Sequence, residues 1–158
     1  MGLTRSSAGK CAGDKGFAEA RPGEFMVALA GNPNVGKSTV FNALTGLNQH
    51  TGNWPGKTVA GAWGRFSSKT RPYVLVDTPG AYSLCARSAE EEVARDYILF
   101  GGADAVIAVC DATCLERNLN LVMQIIESCP RVVVCVNLLD EAQKRGQTFN
   151  LKKLSQML

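Results

Sequence analysis

The chain has 158 residues, 46% of them hydrophobic and 20% charged, a balance that suits one soluble globular domain with a sizeable core and leaves little room for two. Its 17 basic and 14 acidic side chains give a net +3, too small and too dispersed to mark a nucleic-acid or anionic-membrane surface. No apolar run reaches the length of a membrane span or resembles the core of a signal peptide, and the six cysteines (Cys11, Cys85, Cys110, Cys114, Cys129 and Cys135) lack metal-ligand spacing and read as reduced cytoplasmic thiols.

Met1 to Glu24 is rich in Gly, Ala, Ser and mixed charge without period, and is expected to be a disordered lead-in without chemistry. Phe25–Ala30 is the first of four nearly unbroken apolar runs, the others being Tyr73–Val76, Ala105–Val109 and Val132–Val136. Such runs suit strands buried on both faces. A helix is expected over Lys37–Thr45. The less apolar Val59–Ser67 follows as an edge strand, turning back through Ser68–Pro72. Ser88–Phe100 opens with Ser88 and Glu91 in capping-box spacing and carries Val93, Ala94, Tyr97 and Ile98 on one stripe. Leu115–Ser128 repeats the pattern with Leu115, Leu119, Val122 and Ile126, and Leu151, Leu154 and Leu158 begin a last amphipathic turn or two. Alternation of strands and helices predicts a mostly parallel sheet covered on both faces, with one antiparallel edge strand.

The polar signatures fall after the strands, where open α/β sheets bind ligands. Gly31-Asn-Pro-Asn-Val-Gly-Lys-Ser38 fits G-x-x-x-x-G-K-[ST] between a strand and a helix, so Gly31, Asn32, Pro33, Asn34, Val35, Gly36, Lys37, Ser38 and Thr39 are expected to surround the phosphates of a nucleoside triphosphate. Lys37 reaches the outer phosphate oxygens, and the Ser38 hydroxyl ligates Mg²⁺. In Asp77-Thr78-Pro79-Gly80, Asp77 ends a strand where a carboxylate holds Mg²⁺, and Gly80 offers a bare N–H to the γ-phosphate. Asn137 and Asp140, with Leu138 between them, have the spacing of an amide and a carboxylate that read guanine, which selects GTP/GDP over adenine nucleotides. His50 reads as a solvated loop residue. Trp54 is either an exposed lid or partner contact, or an anchor that fixes its loop to the domain surface.

The four fingerprints, in order and spacing, resemble those of GTPases of the P-loop NTPase three-layer fold, with Thr58 at the switch threonine. Beyond the shared phosphate loop, Gly52-Asn-Trp-Pro-Gly-Lys-Thr-Val59, Asp77-Thr-Pro-Gly-Ala-Tyr-Ser-Leu84, Val93-Ala-Arg-Asp-Tyr97 and Asp111-Ala-Thr-Cys-Leu-Glu-Arg-Asn-Leu119 resemble the cytoplasmic G domain of the ferrous iron transport protein B family over about residues 24–158. The resemblance implies a GTP-binding regulatory domain at the cytoplasmic face of a prokaryotic membrane, preceding a polytopic segment that passes Fe²⁺. It implies Gly56, Lys57 and Thr58 in the nucleotide site, Mg²⁺ on Ser38, Thr58 and Asp77, catalytic roles for Lys37, Thr58 and Gly80, and K⁺ at Asn34 as in some relatives. No nucleic-acid partner is expected.

The chain departs from common GTPases in two places. Leu138 replaces the usual lysine of the base-reading motif, keeping apolar contact with the base while losing a polar one. Ala81 stands where many GTPases carry the glutamine that orients the attacking water, so slow intrinsic hydrolysis is expected. GTPases of this type add a further strand and helix after the helix at Leu151–Leu158. Val132–Val136 is therefore expected to be a sheet edge, with marginal stability and weakened guanine binding. The competing readings are a soluble Era-like GTPase acting on ribosomes or tRNA, and a nucleotide-binding fragment without useful turnover.

Overall fold

A computed structural model describes residues 17–158. The elements in chain order are β1 (Phe25–Gly31), α1 (Lys37–Thr45), β2 (Gln49–Asn53), β3 (Ala60–Ser67), β4 (Pro72–Asp77), α2 (Ala89–Phe100), β5 (Ala105–Asp111), α3 (Leu115–Ser128), β6 (Val132–Asn137), α4 (Leu139–Lys144) and α5 (Leu151–Met157). They build one six-stranded sheet of order β2-β3-β4-β1-β5-β6. Strands β4, β1, β5 and β6 are mutually parallel, while β3 runs antiparallel to both β2 and β4.

Six of the seven residues of central β1 are buried, as its uninterrupted apolar sequence requires of a strand covered on both faces. Alternate side chains feed two cores. Met26, Ala28 and Ala30 pack with Val74, Val76, Val106 and Ala108 beneath Val93, Tyr97 and Ile98 of α2 and Leu121, Val122 and Ile125 of α3. Val27 and Leu29 pack on the other face with Leu75, Val109 and Phe41 of α1. The result is three layers. Truncating Leu29, fully buried at the centre of this second core, to alanine is expected to cost about 3 kcal/mol, read by urea denaturation.

The antiparallel strand is not the edge. The predicted edge segment forms β3, and Gln49–Asn53 adds a further strand outside it, every residue of which is exposed. A polar strand with no buried face carries no alternation to reveal it; pairing with β3 imposes it. At the opposite side β6 pairs only with β5 among the described residues, so the expected edge stands, with Val133 59% exposed. An apolar groove of about 690 Å³ runs along it, lined by Val132, Val134 and Val136, by Leu151 and Leu154 of the last helix and by Leu158 just beyond its end.

In α2 the buried residues are the predicted Val93, Ala94, Tyr97 and Ile98. In α3 the fully buried set is Asn118, Leu121, Val122 and Ile125, so the stripe is rotated from the predicted one; Leu115, Leu119 and Ile126 lie at its margin. Ser88 caps α2 by accepting from the Glu91 N–H at 3.2 Å. The Glu91 carboxylate does not return to Ser88, as a capping box would have it, but accepts from the Tyr82 and Arg87 N–H groups at 3.0 Å each.

The expected lead-in divides. Residues 1–16, Cys11 among them, lie outside the described residues. Residues 17–24 are attached to the domain, with Phe17 stacked on Trp54 and Glu24 paired with Arg65. No helix among the described residues is long and apolar enough to cross a membrane.

Candidate functional site

Parallel register brings the loops after β4, β1, β5 and β6 to one end of the sheet, with Leu29 opposite Asp77, Gly31 opposite Val109, and Asp111 opposite Asn137. The loop after β1 then runs into α1. Asn34 and Gly36 both take left-handed backbone, at φ 64° and 83°, which turns successive N–H groups toward a common centre. Gly36 is the N-cap of α1 and supplies no side chain to the free N–H groups of the first turn, leaving them available to an anion. Gly31 is required for space: a Cβ there would strike the Val109 carbonyl.

The loop after β4 is fastened to this one. Thr78, almost fully buried, donates to the Leu29 carbonyl from its backbone N–H at 3.0 Å and from its hydroxyl at 2.9 Å, and the Ala81 N–H donates to the Gly31 carbonyl at 3.2 Å. Gly80 lies so close to Pro33 that a Cβ would sit 3.1 Å from its ring. Asp77 faces Lys37. Burial pushes the Asp77 carboxyl above its ordinary range, and the Lys37 ammonium opposes that rise. Its Oδ1 is buried without a hydrogen-bond partner, as is Oδ1 of Asn32.

Lys37 stands between two cavities. One, of about 520 Å³, is bounded by Lys37, Asp77, Thr78, Pro79 and the facing strands β2 and β3. The other, of about 540 Å³, is bounded by Pro33, Asn34, Gly36, Lys37, Ser38, Gly80 and Glu90. Their sizes suit a small-molecule ligand. The Asp77 carboxylate, with a free buried oxygen, lines the first cavity and Ser38 at the start of α1 lines the second, with Lys37 common to both; carboxylate and hydroxyl oxygens are the donor types a divalent cation takes. Glu90 was not singled out by sequence because it sits in the acidic run Glu90-Glu91-Glu92, which suits a helix N-terminus. Val35 is buried in the core under the loop, and Thr39 is exposed on the first turn of α1.

Gly56, Lys57 and Thr58 line neither cavity. They belong to a four-residue hairpin turn closed by the Trp54 N–H to the Val59 carbonyl at 2.8 Å, with Gly56 at φ 68°. Trp54 is 7% exposed, so of its two readings the anchor holds. Lys57 pairs with Glu92 of α2 at 3.0 Å, and Thr58 is exposed. His50 stacks on Trp63 at 4.2 Å.

The loop after β6, which carries the motif predicted to read the base, closes the site from that side. Asn137 donates its Nδ2 to the Val35 carbonyl at 3.0 Å, joining residues 102 apart in sequence. Leu138 takes left-handed backbone at φ 59°, an uncommon conformation for a branched side chain, and Asp140 lies exposed in the first turn of α4. The segment Asp111–Asn118 supports this loop. Asp111 accepts from the Thr113 N–H and hydroxyl, and buried Asn118 accepts from the Asp111 N–H at 3.3 Å while donating to the Cys114 carbonyl at 2.9 Å. Gln147, beyond α4, reaches the Thr113 carbonyl at 3.4 Å. A buried amide gives no hydrophobic signal, so Asn118 does not show in the apolar pattern of α3.

Cys110 and Cys135 lie on neighbouring strands but face opposite cores, and burial pushes the Cys110 thiol up to about 12. No group of three or more His, Cys, Asp or Glu side chains gathers among the described residues.

A family model described as ferrous iron transport protein B matches residues 25–158. The Fe(2+) transporter FeoB of Methanocaldococcus jannaschii is 53% identical over 103 residues, covering 65% of this chain and 15% of that protein. The Fe(2+) transporter FeoB of Escherichia coli (strain K12) is 45% identical over 139 residues, 85% of this chain and 18% of that protein. The chain therefore spans less than a fifth of the length of these curated relatives. Among solved structures, the G domain of the T. maritima FeoB iron transporter matches with a TM-score of 0.80 at 44% identity, covering 85% of this chain and 82% of that one. The cytosolic domain of the same transporter in a GDP form matches with a TM-score of 0.78 at 44% identity, covering 84% of this chain and 52% of that one.

Proposed function

Because the chain belongs to the ferrous iron transport protein B family and has the fold of its G domain, we propose that it binds GTP and GDP and hydrolyses GTP slowly, as the nucleotide-switch domain of a prokaryotic Fe²⁺ transporter. The observation that carries this reading is the bond from Asn137 to the Val35 carbonyl, which ties the base-reading loop to the phosphate loop so that one ligand spans both. In this reading the left-handed turns at Asn34 and Gly36 and the first turn of α1 hold the phosphates, and Lys37 neutralises their outer oxygens. Asp140 accepts from the guanine ring N–H and amine, and Leu138 lies against the base.

Ser38 and Asp77 would hold Mg²⁺, with Thr58 joining when its turn closes. The ion would supply charge neutralisation at the β- and γ-phosphates. Asn34, exposed at the rim beside Glu90, is the candidate K⁺ ligand. The Ala81 methyl offers no hydrogen bond to a water molecule, so the proposed hydrolysis is slow and rests on Lys37, the Gly80 N–H and the closure of Thr58. The Fe²⁺-carrying membrane segment at its C-terminal side, and a place at the cytoplasmic face of the inner membrane, are part of the same proposal.

The test is a titration with fluorescent GDP and ADP, followed by single-turnover GTP hydrolysis in K⁺ and in Na⁺. Guanine is expected to be preferred by about 100-fold or more, since a mismatched base leaves Asp140 unpaired, and hydrolysis is expected to be faster in K⁺. Equal affinity for the two bases would overturn the reading. Tight GDP binding without turnover in either salt would reduce it to a nucleotide-binding module.

A further inference from the structure

Segment 17–24 contacts the hairpin that bears Thr58. The Phe17 ring stacks on Trp54 at 4.3 Å with a 16° interplanar angle, and Trp54 in turn meets Tyr97 of α2 edge-on at 5.0 Å. Gly61 of β3 forms the floor of this seat: a Cβ there would strike both the Trp54 indole nitrogen and the Phe17 ring. The other end of the segment is fixed to the same hairpin. Arg65 of β3 pairs with Glu24 at 2.9 Å and donates to the Glu19 carbonyl at 3.1 Å.

The three rings meet by aromatic contact, with no hydrogen bond from the Trp54 indole or the Tyr97 hydroxyl. Both the Trp54 Nε1 and the Tyr97 hydroxyl are buried without partners, and a buried donor left unpaired disfavours the closed seat. Removing one ring from such a balance shifts it readily. While the seat is occupied, Pro55–Thr58 projects beside α2, Lys57 pairs with Glu92, and Thr58 lines neither cavity around Lys37.

We propose that Phe17 is a positioning residue for the nucleotide-site loop: its ring latches Trp54 against α2 and thereby keeps Thr58 out of the cavity between Lys37 and Asp77. A nucleoside triphosphate, which draws Thr58 inward, binds against this latch. A diphosphate, which makes no demand on Thr58, does not. The proposal rests on the guanine-nucleotide reading above for its ligand, and on the Phe17–Trp54–Tyr97 stack for its mechanism.

The experiment uses the full 158-residue chain carrying Trp63→Phe, so that Trp54 is the sole tryptophan, with Phe17→Ala and Phe17→Tyr compared in that background. Acrylamide quenching of Trp54 without nucleotide reads the latch. Dissociation constants for GDP and for a non-hydrolysable GTP analogue read its consequence. Phe17→Ala is expected to raise quenching and to tighten the triphosphate analogue about 3- to 10-fold, the worth of one aromatic pair, while GDP moves less than about 2-fold. Phe17→Tyr is expected to restore both values. Unchanged quenching overturns the latch, and equal shifts for the two nucleotides, or a lowered melting temperature with an unchanged affinity ratio, overturn its role in positioning. If the parent chain binds neither nucleotide, the functional reading fails, and the quenching comparison still decides whether Phe17 holds Trp54.

Discussion

Gly36→Ala is expected to weaken the proposed guanine-nucleotide binding strongly and to destabilise the ligand-free domain by about 2–3 kcal/mol, the sum of left-handed strain and one lost hydrogen bond. Gly36 holds φ at 83°, where a Cβ meets the following carbonyl oxygen, and that Cβ would also occupy the position of the Asn137 side-chain amide. Asn137 would have to withdraw, breaking its bond to the Val35 carbonyl and parting the base-reading loop from the phosphate loop. Affinity for GDP is expected to fall about 100-fold or more, because the N–H donors proposed to hold the phosphates are displaced together. Fluorescent-GDP titration and urea denaturation measure the two effects. Near-normal GDP affinity in a destabilised variant would show that the Asn137 bond is structural only.

Asp77→Asn is expected to act with opposite signs on stability and on binding. Burial raises the Asp77 pKa, so the folded state favours the protonated acid. For this group stability is therefore greatest below the unfolded pKa. It declines as pH rises from there through the higher folded pKa, and above that the cost of holding a buried carboxylate is complete. Asparagine removes that cost. At neutral pH the nucleotide-free variant is expected to melt at a higher temperature than the parent, and the gap is expected to close in acid. Nucleotide binding moves the other way: addition of Mg²⁺ is expected to tighten GDP on the parent and to change the variant by less than about 2-fold, since the carboxylate proposed to balance the ion is gone. Thermal melts across pH and GDP titrations with and without Mg²⁺ read both. A variant that melts lower than the parent at neutral pH, or retains the full Mg²⁺ effect, would contradict this account of the carboxylate.

Much of the site is legible in the chain because its chemistry is written in consecutive residues. Gly31 to Ser38 specifies the left-handed turns, the lysine and the hydroxyl within eight positions, and Asp77 to Gly80 does the same within four. The order of strands and helices follows from apolar runs whose length and β-branching suit a sheet covered on both faces. What escaped has a shared cause. Strand β2 has no buried residue, Glu90 lies in a run suited to a helix start, and Asn118 interrupts an apolar stripe. Each is assigned by what folding sets beside it and not by its own pattern, namely strand β3, the loop Gly31–Ser38 and the Asp111 N–H respectively.

Trp54 and Thr58 mark the division most clearly. Sequence by itself determined that this chain carries a glycine-loop motif of the phosphate-binding type, a candidate magnesium carboxylate and a guanine-type motif at the ends of parallel strands, because glycine torsions, charge and hydrogen-bonding groups are properties of the residues themselves. Only the tertiary structure decided that Trp54 is buried between Phe17 and Tyr97 and that Thr58 stands outside the cavities around Lys37. A ring's seat depends on which surfaces packing brings together, and those surfaces come from residues 37 positions before it and 43 after it.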